Sequence, residues 1–178
     1  MKKKLVLILV LVLLVAAAVI AYPKLTAVFA PEEPPVIING TAADFTVTDD
    51  AGNEVALSSF YGKPLVVNFW ATWCPYCVQE LPSFEKAAAD YPDVTFILVD
   101  MSDEVGETPA DAKAYLDYLG ITVPGYYDTA YSAAYAYRIT SIPLTLFIDR
   151  HGDLYKEHLG MINEAALRSA IDGLTAVE

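Results

Sequence analysis

The only two cysteines of this 178-residue chain stand two residues apart, in Trp70-Ala71-Thr72-Trp73-Cys74-Pro75-Tyr76-Cys77. A pair so spaced can close a small disulfide ring with little chain movement, or stay open as a dithiol. The flanking residues say where each sulfur sits. A nearly continuous apolar run, Pro64 to Trp70, leads into the pair, and helical spacing takes over from Pro75. The start of a helix leaves amide groups unpaired and a positive dipole end beside the first sulfur, which favours its thiolate. Cys74 is therefore the expected nucleophile. Cys77, one turn in, is expected to be more buried and to act second. Pro75 falls where a missing amide hydrogen costs least.

Two plainer uses of such a pair compete with redox chemistry. A zinc site needs about two further ligands, and the only histidines, His151 and His158, lie far along the chain without ligand spacing. No metal and no other cofactor is expected. A purely structural disulfide closing so short a loop would contribute little entropy. Trp73, beside the nucleophile, reads as an exposed flank of the substrate surface, and Trp70 as core.

Acidic residues outnumber basic ones by 23 to 11, and four of the positive charges (Lys2, Lys3, Lys4, Lys24) precede residue 25. The remainder is strongly negative and repels phosphate backbones, which excludes nucleic acid as a partner. The chain begins with three lysines and an uncharged apolar run, Leu5 to Ala21. That run is at the lower edge of the roughly 17–25 residues needed to cross a bilayer, and the lysines keep its N-terminus cytoplasmic. Residues 1–22 read as a single membrane anchor, or alternatively as a signal peptide cut near Ala16-Ala17-Ala18. Residues 23–40, with four prolines, read as a tether, and 41–178 as the working domain. That domain would lie on the extracytoplasmic side, where disulfides persist.

The elements that must position the pair can be read in order. Phe45–Thr48 and Glu54–Leu57 form a hairpin about Asp49–Asn53. Ser58 or Ser59 caps a single helical turn. Pro64–Trp70 is a central strand buried on both faces. A helix follows from Pro75 to Tyr91 through Val78, Leu81, Phe84 and Ala88, with Pro82 expected to kink it. Next come a strand at Val94–Val99, a helix from Pro109 to Leu119 ended by Gly120, a short strand near Tyr126-Tyr127 and a helix from Thr129 to Tyr137. Leu144–Asp149 and Leu154–Leu159 pair across the turn Arg150–Asp153, and Asn163 caps a last helix through Leu174. Tyr115, Tyr118, Tyr131 and Tyr135 fall at helical spacing and read as packing. The whole predicts an α/β domain with a mixed sheet flanked by helices.

The run Asn68-Phe69-Trp70-Ala71-Thr72-Trp73-Cys74-Pro75-Tyr76-Cys77, with Glu80 beyond it and Ile142-Pro143 before a strand, resembles the thioredoxin fold. It is most similar to the membrane-anchored TlpA/ResA-like branch of bacterial extracytoplasmic thiol-disulfide oxidoreductases, whose added N-terminal β-hairpin it shares. The likeness covers about residues 41–175. It implies a cis bond between Ile142 and Pro143, packed against the dithiol, with Trp73, Pro75, Tyr76, Ile142 and Pro143 forming the surface that binds an incoming peptide. Asn68 stands where many cytoplasmic thioredoxins have a buried Asp that handles protons for the second cysteine. Glu80, at i+3 from Cys77 and hence on the same helix face, is the expected replacement, its pKa raised if buried. Leu144, where Thr is more usual, departs from the family pattern.

The resemblance further implies a monomer that reduces disulfides in exported client proteins and is recharged by a membrane thiol carrier of the CcdA type. Clients in such systems include apocytochrome c, sporulation proteins and methionine sulfoxide reductases. Tyr76, without the cationic help a histidine would give the thiolate, and Ile142 before Pro143 both resemble the reducing members. The competing readings are a net oxidant of exported proteins and a non-catalytic peptide-binding module. Peroxidase chemistry would need a differently placed cysteine, and the chain has none.

Overall fold

Among the described residues seven strands line up in one sheet whose middle is too apolar to face water on either side. The computed structural model describes residues 40–101 and 106–177. The expected membrane segment, 1–22, and the tether, 23–40 apart from Gly40, lie outside them. Among the described residues no helix is long and apolar enough to cross a membrane.

The hairpin Thr46–Thr48 (β1) and Glu54–Ala56 (β2) comes first, followed by a 3-10 turn, Leu57–Phe60. No serine side chain caps that turn; Ser58 instead bonds the Asp44 carboxylate through its amide and hydroxyl. Then come Leu65–Trp70 (β3), Pro75–Asp90 (α1), Thr95–Asp100 (β4), Pro109–Leu119 (α2) and Gly125–Tyr127 (β5). Ser132–Tyr137 (α3), Leu144–Ile148 (β6), Leu154–Leu159 (β7) and Glu164–Ala176 (α4) complete the domain. Helix α1 runs through Pro82 to Asp90. Helix α3 begins three residues later than the sequence suggests, because the Asp128 carboxylate accepts the amides of Ala133 and Ala134 and fixes the start there.

The sheet order is β2-β1-β5-β4-β3-β6-β7. Strands β3, β4 and β5 run parallel, and β6 turns back antiparallel beside β3. The added hairpin joins the sheet through β1 alongside β5. Every residue of β3 and β6 is buried, as strands covered on both faces must be.

Alternation along β3 divides the core. Val66, Asn68 and Trp70 point to the face covered by α1, α2 and α4, where Cys77, Leu81, Phe84, Leu116, Leu167 and Ile171 pack. Leu65, Val67 and Phe69 point to the other face, against Phe45, Val47, Leu57 and Ala133. The tyrosines divide less simply than their spacing suggests. Tyr118 and Tyr135 are 82% and 80% exposed, so the helical spacing that reads as packing places these two on the solvent side of α2 and α3.

One glycine fixes how the N-terminal segment closes over the far end of the sheet. Gly152, in the turn between β6 and β7, has φ +89° and lies under the Tyr61 ring, where a Cβ would overlap Cε2 of that ring. Its carbonyl accepts the Ala42 amide at 2.8 Å. Gly152→Ala combines a left-handed conformation with overpacking and should cost about 2–4 kcal/mol. Urea unfolding of the full chain, with the dithiol kept oxidised, measures this; an unchanged midpoint would contradict it.

Candidate active site

Buried β3 ends at Trp70, at the C-terminal end of the parallel strands, and the loop Ala71-Thr72-Trp73 carries the chain into α1. Cys74 is the N-cap of that helix, with extended φ and ψ of −92° and 104°, and Pro75 opens the first turn. The Cys77 amide donates to Cys74 Sγ at 3.2 Å. This is a helix-terminal N–H aimed at the sulfur that would carry negative charge. Cys74 and Cys77 are joined in a disulfide, with Cα atoms 5.3 Å apart. Cys77 is wholly enclosed and Cys74 only 4% exposed, while Trp73 and Tyr76 are 51% and 62% exposed on either side. An incoming group therefore meets Cys74 first.

The Ile142–Pro143 bond is cis, as the resemblance implies. Ile142 O lies 3.8 Å from Cys74 Sγ, and Pro143 O accepts the Gly160 amide at 2.8 Å, which ties the proline loop to the end of β7. Of the residues expected at the substrate surface, Trp73, Pro75 and Tyr76 flank Cys74 along the chain, and the cis Ile142–Pro143 peptide comes beside its sulfur through the Ile142 carbonyl. Beside them a cleft of about 540 Å³ opens between Trp73, Met101, Asp128, Tyr131, Ile139 and Ile142. Leu144, the departure from the family pattern, is buried and sits opposite Phe69 and Leu159 in the sheet register.

Glu80 is 2% exposed, one helical turn beyond Cys77. Its Oε1 accepts from Asn68 Nδ2 at 2.8 Å and its Oε2 from the Ile162 amide at 2.7 Å. Burial pushes its pKa from 4.5 up to about 7, and the two N–H donors hold it from going higher. Asn68 Nδ2 also reaches Thr145 Oγ1 at 3.1 Å.

Sequence reasoning missed Thr145 and Ile162. The signal for Thr145 was present: it is the one polar residue within the strand Leu144–Ile148, in register with Asn68 of β3. The Ile162 amide carries no such signal, since any residue but proline offers one. A second omission is Glu107, whose carboxylate receives the Thr72 hydroxyl of the cysteine loop.

A strand, a cysteine-capped helix and a cis-proline loop meeting at one disulfide define a thioredoxin-fold thiol-disulfide oxidoreductase. Residues 38–156 match the AhpC/TSA family, and the chain belongs to that family. The chain is 29% identical over 160 residues, 90% of each protein, to thiol-disulfide oxidoreductase ResA of Geobacillus kaustophilus (strain HTA426). It is 28% identical over 166 residues to ResA of Bacillus subtilis (strain 168), covering 93% of this chain and 91% of the relative. The crystal structure of the exposed lipoprotein thioredoxin Etrx1 from Streptococcus pneumoniae strain TIGR4 superposes with a TM-score of 0.61 at 29% identity, covering 74% of this chain and all of that one. StoA from Bacillus subtilis superposes with a TM-score of 0.62 at 21% identity, covering 73% and 97%, and supports the fold alone.

Glu80 makes folding depend on pH with a definite sign. Its folded value lies above its unfolded one, so its favourable contribution is complete below about pH 4.5 and is lost as pH rises through about 7. The shift corresponds to about 3 kcal/mol. In denaturant melts at about pH 4 and pH 8, wild type should lose roughly that much more stability than Glu80→Gln, which cannot titrate. Parallel losses in the two proteins would exclude the assignment.

Proposed function

We propose that the chain reduces disulfides in exported client proteins from the extracytoplasmic side of a membrane. The observation that carries this reading is the pairing of an amide-facing Cys74 sulfur, the less enclosed of the two, with a wholly enclosed Cys77 one turn from a buried carboxylate. The reduced form begins the cycle. The Cys74 thiolate attacks one sulfur of the client disulfide, forming a mixed disulfide and releasing the other client sulfur as thiolate. Glu80 accepts the proton of Cys77, and the Cys77 thiolate then attacks Cys74 Sγ. The second client sulfur leaves as thiolate, the client gains two electrons, and the protein is left as the Cys74–Cys77 disulfide.

Each flanking residue has a part in that sequence. The Ile142 carbonyl and the cis proline align an extended client segment across Cys74, while Trp73, Pro75 and Tyr76 supply apolar contact beside it. The enclosed position of Cys77 keeps it from attacking clients directly and reserves it for the second step. Recharging requires a dithiol donor, for which a membrane thiol carrier of the CcdA type is the proposed partner. The lysine-flanked apolar segment at the N-terminus supports a position close to such a carrier. The strongly acidic domain favours protein clients over polyanions.

Trapping tests the order of attack. A Cys77→Ala form of the full chain should accumulate client mixed disulfides through Cys74, visible as dithiothreitol-sensitive adducts, and Cys74→Ser should give none and reduce a model disulfide peptide no faster than background. Adducts on Cys77 in the Cys74→Ser form would reverse the assignment of roles. The direction of electron flow is tested by the reduction potential, because a value above about −150 mV would make the dithiol too stable to be a useful donor.

A further inference from the structure

Glu80 changes charge during the proposed cycle, and at 2% exposure its carboxyl needs hydrogen-bond partners in either protonation state. Its immediate partners are arranged unequally. Ile162 offers a backbone N–H to Oε2 that cannot change direction. Asn68 commits its amide nitrogen to Glu80 Oε1 and Thr145 Oγ1, at 2.8 and 3.1 Å, and leaves its own Oδ1 buried without a hydrogen-bond partner among the described residues. That arrangement suits an ionised Glu80, which can only accept. It does not suit a protonated one, whose O–H at Oε1 would face an N–H.

Asparagine and threonine are the side chains that can reverse such a pattern. A half-turn of the Asn68 amide exchanges its nitrogen and oxygen with almost no change of shape, and a hydroxyl can donate where it previously accepted. Asn68 and Thr145 sit directly opposite each other in the β3–β6 register, both fully enclosed. We infer that the Asn68 amide turns over each time Glu80 gains or loses its proton. Nδ2 donates to the carboxylate, and Oδ1 accepts from the carboxylic acid and from the Thr145 hydroxyl. Asn68 is thus a positioning residue for the proton acceptor of Cys77, and this role rests on the reading of Glu80 given above. An aspartate at 68 would instead set a second carboxylate within hydrogen-bond distance of Glu80, so that the two would share one proton.

The neighbouring titratable and charged groups leave this exchange to Asn68. Cys77 lies on the same helix face and is the proton's source. His158 of β7 stands opposite Thr145 in the register, and its Nε2 is 3.4 Å from Met161 O. Lys86, Glu164, Arg168 and Asp90 pair with one another at the surface between α1 and α4.

Nuclear magnetic resonance of the full chain carrying 15N-asparagine tests the turn directly. The Asn68 side-chain amide signals should shift with a midpoint equal to that of Glu80, near pH 7, and should become independent of pH in Glu80→Gln. They should keep their midpoint in His158→Gln. Signals that stay fixed while Glu80 titrates, or that lose their titration in His158→Gln, overturn the inference. Kinetics supply a second measurement. Asn68→Leu removes a charge-assisted bond from the ionised state and a weaker neutral one from the protonated state. The alkaline-rising limb of Cys77 attack should therefore move up by about half to one pH unit, with a few-fold slower step at neutral pH. A limb that stays or moves down counts against it. If Glu80→Gln leaves the rate profile unchanged, the base assignment itself fails, whereas a profile that responds to Glu80→Gln beside fixed Asn68 signals sinks only the turning amide.

Discussion

A carboxylate inside an apolar core survives only where donors reach both of its oxygens, and meeting that condition at Glu80 constrains much of the fold. The donors come from Asn68 on β3 and from the Ile162 amide in the loop between β7 and α4, 12 and 82 residues away in sequence. Both must be within bonding distance of α1 at once. That requires β3 to pass under the helix at one register, and β7 to end where Gly160 can also bond the proline loop. The same geometry that satisfies Glu80 therefore brings the Ile142 carbonyl of the cis Ile142–Pro143 peptide beside Cys74. A neutral side chain at 80 would relax the requirement, and with it the reason for a polar pair, Asn68 and Thr145, in two otherwise apolar central strands.

What could be read in the sequence divides along the line between local and long-range physics. Strand β3 and helix α1 were legible because their signals are local: a continuous apolar run, then apolar residues at three and four, with cysteine and proline at the junction. The hairpin turn at Asp49–Asn53 announced itself through residues that bond their own backbone, as the Asp49 carboxylate does to Ala51 and Asn53. The site's second layer was not legible. Thr145 reaches Asn68, and Ile162 reaches Glu80, only through strand pairing and chain reversal, which no window of sequence contains. Tyr118 and Tyr135 show the opposite error, since helical spacing identifies residues that share a face without saying whether that face meets the core or water.

Sheet topology explains why the chemistry sits where it does. Parallel β3 and β4 each end at the same edge, so the backbone amides at the start of α1 open there rather than over a face, and the antiparallel β6 begins at that edge with Pro143 before it. The chain thus brings a helix N-terminus and a strand start together by construction. The opposite end of the sheet, where Gly152 lies under Tyr61 and its carbonyl accepts the Ala42 amide, bears structural contacts.

The two sulfurs end in different surroundings although only two residues separate them. Cys74 Sγ accepts the Cys77 amide hydrogen, which stabilises charge on it. Cys77 lies among Trp70, Leu81 and Phe84, where a thiolate would be poorly solvated and a thiol is preferred. An apolar surround alone would leave Cys77 protonated and slow to attack. In the proposed cycle a single buried carboxylate one turn away, its pKa set near 7 by competing burial and hydrogen bonds, removes that obstacle without adding a permanent charge beside Cys74. In the proposed cycle the asymmetry of the pair and the burial of Glu80 are consequently linked: the core that encloses Cys77 is the same core that raises the pKa of its proposed proton acceptor.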